Sequence, residues 1–190
     1  AHVGSGTSVT AVLSGSSMYN SMGYTPASGV MMGTRAGDLD PGATIEILRR
    51  TETKLAGGHR YLQSNGGFAG LLGVSDLRSV MAREQHGEVM AAEAMKMYLF
   101  DIRSAIMTAA TVLEGIDTLV LTATAMERNP DLRARVLSGL HFYGATLAKR
   151  ANDSLLHGDG IISQDDSTVT VAVVCTAETA ELARIAAQFS

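Results

Sequence analysis

From Glu88 to Leu113 the apolar residues Met95, Leu99, Ile102, Ile106, Ala109 and Leu113 recur at steps of three and four. That spacing predicts one long helix with a single buried face. Glu93, Lys96, Asp101 and Arg103 interrupt the stretch, and a lipid-spanning helix would place them in hydrocarbon at several kcal/mol. The helix therefore belongs to a core rather than a bilayer. Gly115 can end it in the left-handed conformation, and Asp117 leads into Thr118-Leu119-Val120-Leu121-Thr122, an almost unbroken apolar run expected to be a buried strand. A long helix feeding a buried strand points to an α/β fold.

The rest of the chain fits that class. Ser8 to Leu13 and Met18 to Met22 read as short strands joined through Ser14-Gly15-Ser16, a hairpin signal. Asp40-Pro41 supplies a side-chain acceptor at the N-cap and a preset φ at the next position, so a helix starts there, with its stop expected at Gly57-Gly58. His59 to Gly73 contains Asn65-Gly66-Gly67 and Gly70 and reads as a long loop, functional or mobile. Asn129-Pro130 repeats the cap-then-Pro signal for a helix through Leu140, Thr168 to Cys175 is a β-branched strand, and Ala177 to Phe189 is a closing helix. Of the 20 glycines, 14 fall at or before Gly73, so the first part is expected to be rich in turns and close approaches. No internal repeat or linker divides the 190 residues, and one lobe is expected.

With 46% hydrophobic and 18% charged residues the chain can bury a core. Its net charge of −4 lacks the basic excess of a nucleic-acid or anionic-membrane binder. Cys175 is the single cysteine, which excludes an intrachain disulfide and a multi-cysteine zinc site and makes a reducing, cytoplasmic compartment the simplest reading. The start at Ala1-His2-Val3-Gly4 has neither an initiator Met nor a charged segment before an apolar one, so no signal peptide is expected, and the chain reads as cut from something longer.

Several segments could carry chemistry. In His2-Val3-Gly4-Ser5-Gly6 the glycines let main-chain N–H groups approach a phosphate, or simply make a tight strand connection. Gly33-Thr34-Arg35-Ala36-Gly37 presents an arginine ahead of a helix start, where it can hold phosphate or carboxylate bidentately or pair with Asp38 or Asp40. Asp76 of Asp76-Leu77-Arg78 precedes a helix, and a plain N-cap is its commoner explanation beside a ligand contact. Glu178 follows the last strand at the edge where open α/β sheets bind ligands, a position that suits Mg²⁺ or a first-turn complement to the helix dipole. His59, His86, His141 and His157 show no metal or triad spacing and read as surface residues, and Cys175 has no partner for nucleophilic catalysis. The methionines of the long helix read as packing.

Taken in order, these segments resemble the C-terminal half of the acetate kinase family (acetate and propionate kinases), within the acetate and sugar kinase/actin-like ATPase superfamily. Ser21-Met22-Gly23-Tyr24-Thr25-Pro26 and Met32-Gly33-Thr34-Arg35-Ala36-Gly37-Asp38-Leu39-Asp40-Pro41 are close to the family's Ser-Met-Gly-Phe-Thr-Pro and Met-Gly-Thr-Arg-Ser-Gly-Asp-Ile-Asp-Pro. His2 to Gly6, Asp76-Leu77-Arg78 and Thr176-Ala177-Glu178 are similar to its His-Leu-Gly-Asn-Gly, Asp-Leu-Arg and Thr-Asn-Glu. The resemblance implies the C-terminal lobe of an actin-like (ribonuclease H-like) fold, with a mixed sheet, flanking helices and residues 1–190 as one lobe. It also implies transfer of the ATP γ-phosphoryl group to acetate or propionate, with ATP/ADP and Mg²⁺, an N-terminal lobe as partner, and a homodimer in the cytoplasm.

By the same resemblance Arg35 is catalytic, Pro26 lines the acyl pocket and Glu178 holds Mg²⁺. His2, Gly4, Ser5, Gly6, Asp76, Leu77, Arg78 and the loop Thr124, Ala125, Met126, Glu127, Arg128 face the nucleotide. That loop is Gly-Ile-Gly-Glu-Asn in the family, so two glycines are replaced by side chains here. The family's N-terminal half, with its catalytic Asp and His, lies outside this sequence, and the chain alone is expected to be inactive. Two readings follow: the C-terminal lobe of a working carboxylate kinase, or a degenerate module kept for dimerisation or ligand sensing.

Overall fold

A computed structural model of the chain describes residues 1–189. They form two compact units, one of Ala1 with Ser5–Ile116 and one of His2–Gly4 with Asp117 onward.

In the first unit, β2 (Thr7–Ser8) precedes a hairpin of β3 (Thr10–Leu13) and β4 (Ser16–Asn20), β1 being His2–Val3 of the other unit. Ser14 and Gly15 both have positive φ, 49° and 80°, which matches a two-residue turn to the twist of the strands. Asp40 caps α1 (Pro41–Arg50) by accepting from the N–H groups of Gly42 and Ala43. The helices α2 (Leu55–Ser64), α3 (Gly67–Leu72) and α4 (Leu77–Gln85) follow, and α5 (Val89–Val112) is the long helix that the periodicity predicts. Its buried face, including Met95, Leu99, Ile102 and Ile106, forms a core with Val9, Ala11, Val30 and Phe68. Phe68 and Tyr98 meet edge-on at 5.1 Å. The Tyr98 hydroxyl bonds Thr7 Oγ1 at 2.8 Å, and burial pushes its pKa up to about 12.

Two expectations fail in this unit. The helix begun at Asp40 stops at Arg50, and Gly57-Gly58 lie inside α2. The expected loop from His59 to Gly73 is instead helical over most of its length. Its glycines answer to packing: a Cβ on Gly58 would sit 3.3 Å from Leu48 of α1, and one on Gly70 would sit 2.6 Å from the Asn65 carbonyl. At the end of α5 it is Glu114 that takes the left-handed φ of 55°, with Gly115 at 137° after it.

In the second unit β1, β5 (Thr118–Thr122) and β7 (Thr170–Val174) run parallel, and β6 (Gly160–Ile161) is antiparallel to β7. Leu119 and Leu121 lie opposite Val171 and Val173, and all four are buried. Thr118 and Val120 on the other face are exposed, so β5 is buried on one side rather than both, despite its apolar run. After β5 come α6 (Thr124–Arg128), α7 (Pro130–Leu137, capped by Asn129), a 3₁₀ turn (His141–Tyr143) and α8 (Lys149–Ser154); α9 (Glu178–Ala186) follows β7. The helix from Asn129 thus ends at Leu137, short of Leu140.

Candidate active site

Arg35 lies in the first unit on the turn from Met32 to Arg35, closed by the Met32 N–H donating to the Arg35 carbonyl at 2.9 Å. Its Nη1 donates to the Pro26 carbonyl at 3.3 Å and touches Met32 Sδ at 3.5 Å. A Cβ on Gly6 would sit 3.4 Å from the same nitrogen, so the glycine leaves the guanidinium room there. Among the described residues no carboxylate pairs with Arg35. Asp38 accepts from the Gly29 N–H at 2.7 Å, and Asp40 is spent on its helix cap. The salt-bridge alternative for Arg35 is thereby excluded, and a half-buried cation is left with donors free for an external anion.

Asp76, Leu77 and Arg78 open α4 close to that turn, because Gly33 lets the Ser75 carbonyl approach to 2.6 Å from where a Cβ would stand. Asp76 Oδ2 accepts from the Ser79 N–H and hydroxyl, both at 3.0 Å, and these bonds hold its carboxyl below the usual range. The N-cap reading of Asp76 is therefore correct. Arg78 Nε lies 3.6 Å from Asp76 Oδ1, and its side chain is 92% exposed, available to a ligand.

In the second unit His2 pairs with Thr122 at the end of β5, and Thr124 to Arg128 make α6 directly after it. Ala123, between them, has φ 70° and ψ 163°, a region that costs a residue with a Cβ about 1–3 kcal/mol. Met126 is fully buried, so at this position of the resembled glycine loop a side chain fills the core. Glu127 Oε1 accepts from both the N–H (2.8 Å) and the hydroxyl (3.0 Å) of Thr176, tying α6 to the turn after β7. Glu178 opens α9, exposed, with its carboxylate unpaired among the described residues. No group of three or more His, Cys, Asp or Glu converges as a metal site among the described residues. A single free carboxylate still suits Mg²⁺, which keeps several waters and is held by one or two carboxylates with phosphate oxygens.

Arg133 is the residue that the sequence did not flag. Its guanidinium is fully buried, with Nε on Asn152 Oδ1 (2.8 Å), Nη1 on the carbonyls of Met126 (2.6 Å) and Glu127 (3.1 Å), and Nη2 on those of Asn152 and Leu155 (both 2.7 Å). A cation on the closing carbonyls of α6 and α8 fixes where α6 lies. The one sequence signal was its place among Leu132, Val136 and Leu137, on the buried face of α7.

A match to the acetokinase family covers residues 1–184. The chain belongs to this family. It is 37% identical over 183 residues to the acetate kinase of Clavibacter sepedonicus (96% of this chain, 46% of that protein) and 38% identical over 188 residues to that of Symbiobacterium thermophilum (98% and 47%). The crystal structure of Porphyromonas gingivalis acetate kinase is similar with a TM-score of 0.89 at 33% identity, covering 96% of this chain and 46% of that one. A propionate kinase from Francisella tularensis gives 0.84 at 27%, covering 93% and 45%. The chain spans about half the length of the relatives it matches, their C-terminal half, and shares their actin-like ATPase fold. Among the described residues no helix is long and apolar enough to cross a membrane.

Proposed function

We propose that this acetokinase-family chain is the nucleotide-binding lobe of a short-chain carboxylate kinase that makes acyl phosphate and ADP from ATP and acetate or propionate. The observation that carries the reading is the unpaired guanidinium of Arg35 beside Gly6 and Pro26. In the transfer, a carboxylate oxygen of the acceptor bonds the γ-phosphorus as the bond to the ADP oxygen breaks. This chemistry needs positioning and charge neutralisation rather than a covalent protein intermediate. Arg35 orients the acceptor carboxylate and offsets negative charge on the phosphoryl group as it moves. Pro26 borders the acyl group. By the family resemblance, Ser5, Gly6, Asp76, Leu77 and Arg78 of the first unit, and His2, Gly4 and the loop Thr124 to Arg128 of the second, are each assigned to the nucleotide. Mg²⁺, when bound on Glu178, supplies a positive charge to the phosphate oxygens. The family's N-terminal half is the required partner, and residues 1–190 act as one lobe of a cytoplasmic homodimer.

A second reading, a non-catalytic module for dimerisation or ligand sensing, draws on α6. Thr124 and Met126 stand where the resembled loop has glycines, and Met126 is packed into the core. The two readings separate when the chain is joined to the N-terminal half of a family member and acyl phosphate is trapped with hydroxylamine. A working lobe gives turnover that R35A lowers by roughly 10³-fold or more in kcat with folding intact. No turnover with the wild-type lobe, or a near-normal kcat in R35A, would overturn the proposal.

A further inference from the structure

Asn65-Gly66-Gly67 has no part in the proposed site, yet it leads into a helix start that is hydrogen-bonded to the turn carrying Arg35. The N–H groups of Gly66, Phe68 and Ala69, at the head of α3, donate to the carbonyls of Thr34 (2.9 Å), Met32 (3.0 Å) and Gly33 (2.8 Å). The Thr34 hydroxyl donates to the Gln63 carbonyl at 2.8 Å. Three orphan donors of this helix start are thus satisfied by the one turn that carries the guanidinium. Such proximity requires glycine. Gly67 has φ 58°, and a Cβ there would stand 2.0 Å from the Met32 carbonyl oxygen and 2.8 Å from that of Arg35. Both obstacles are backbone, which cannot swing aside as a side-chain end can.

We infer that Gly67 is a positioning residue for Arg35: by admitting the turn onto the head of α3, it fixes the direction in which the guanidinium faces an anion. The inference rests on the reading of Arg35 as the anion-binding group. An alanine at position 67 forces the turn outward and displaces Arg35 without removing any group that touches substrate. Even a displacement of about 1 Å near a phosphoryl group carries a large loss, because binding and transfer depend on donor geometry.

The test uses Gly73→Ala as its control. Gly73 ends the same helix with φ 72°, so alanine suffers comparable backbone strain there, but a Cβ would meet nothing within 4 Å. The full chain, labelled with ¹⁵N, is titrated with inorganic phosphate while the Arg35 Nε–Hε cross-peak is followed, and amide exchange is measured at Met32 and Phe68. G67A is expected to weaken phosphate binding at least tenfold and to speed exchange at both amides, and G73A to leave binding within twofold of wild type. Equal binding and exchange in the two variants would overturn the inference. If G67A fails to fold, T34A, which loses one anchor of the turn, should weaken phosphate binding two- to threefold; unchanged binding there would overturn it. If wild type gives no phosphate-dependent shift, the anion-binding reading of Arg35 has failed, and the exchange comparison alone decides whether Gly67 sets the turn.

Discussion

Glu127 holds Thr176 by two hydrogen bonds to one carboxylate oxygen, 2.8 Å from the N–H and 3.0 Å from the hydroxyl. This joins α6, after β5, to the turn after β7, two residues before Glu178. The resemblance assigned Glu127 to the nucleotide; in this fold its Oε1 already has two donors.

E127A should therefore free the Thr176 turn and cost about 1 kcal/mol of stability, the usual net worth of a partly exposed hydrogen bond. E127Q keeps a carbonyl acceptor and should retain most of it. Amide exchange at Thr176 and urea midpoints measure both effects. Equal exchange in wild type and E127A would show that the contact does not order the turn.

Arg133 should be far less tolerant. R133M fits the same space but leaves the carbonyls of Met126, Glu127, Asn152 and Leu155 without their charged donor. Several buried acceptors left unsatisfied predict a loss of roughly 3–5 kcal/mol. The loss should be visible in denaturant unfolding, with the second unit opening first in hydrogen exchange. A variant as stable as wild type would mean that the carbonyls find water instead.

Asp101 gives a pH dependence of unusual sign. Half-buried on α5, it accepts from the Met31 N–H at 3.0 Å, and desolvation, with a smaller contribution from the charge of Asp38, raises its pKa. The folded state then binds the proton more tightly than the unfolded one. Its contribution is fully present below the ordinary carboxylate range and falls away as pH rises through the raised value. D101N keeps an acceptor for Met31 and removes the titration. Denaturant midpoints from pH 3 to 7 should show this component in wild type and its loss in D101N. Parallel profiles would contradict the assignment.

The elements most legible in the sequence were those whose signal is local and repeated. The apolar steps of α5, the Asp40 and Asn129 caps and the β-branched strands all appear where expected. α2 and α3 were hidden by glycines that serve packing against Leu48 and the Met32–Arg35 turn, partners no local pattern can show. Arg133 was hidden for the opposite reason: a charge on a short helix reads as solvated, and only the converging carbonyls of α6 and α8 reveal why it is buried. At the candidate site, the sequence offered Arg35 both an anion and a salt bridge, and the structure removed the salt bridge by giving Asp38 and Asp40 to backbone N–H groups.

The central claim, that this chain carries a nucleotide-binding lobe, is tested most directly by calorimetric titration of the 190 residues with ATP and ADP, each with and without Mg²⁺. The account predicts saturable binding, strengthened by the metal and weakened in R35A for ATP. Heat indistinguishable from dilution, both in wild type and after Gly-Ile-Gly is restored at Thr124 to Met126, would contradict it.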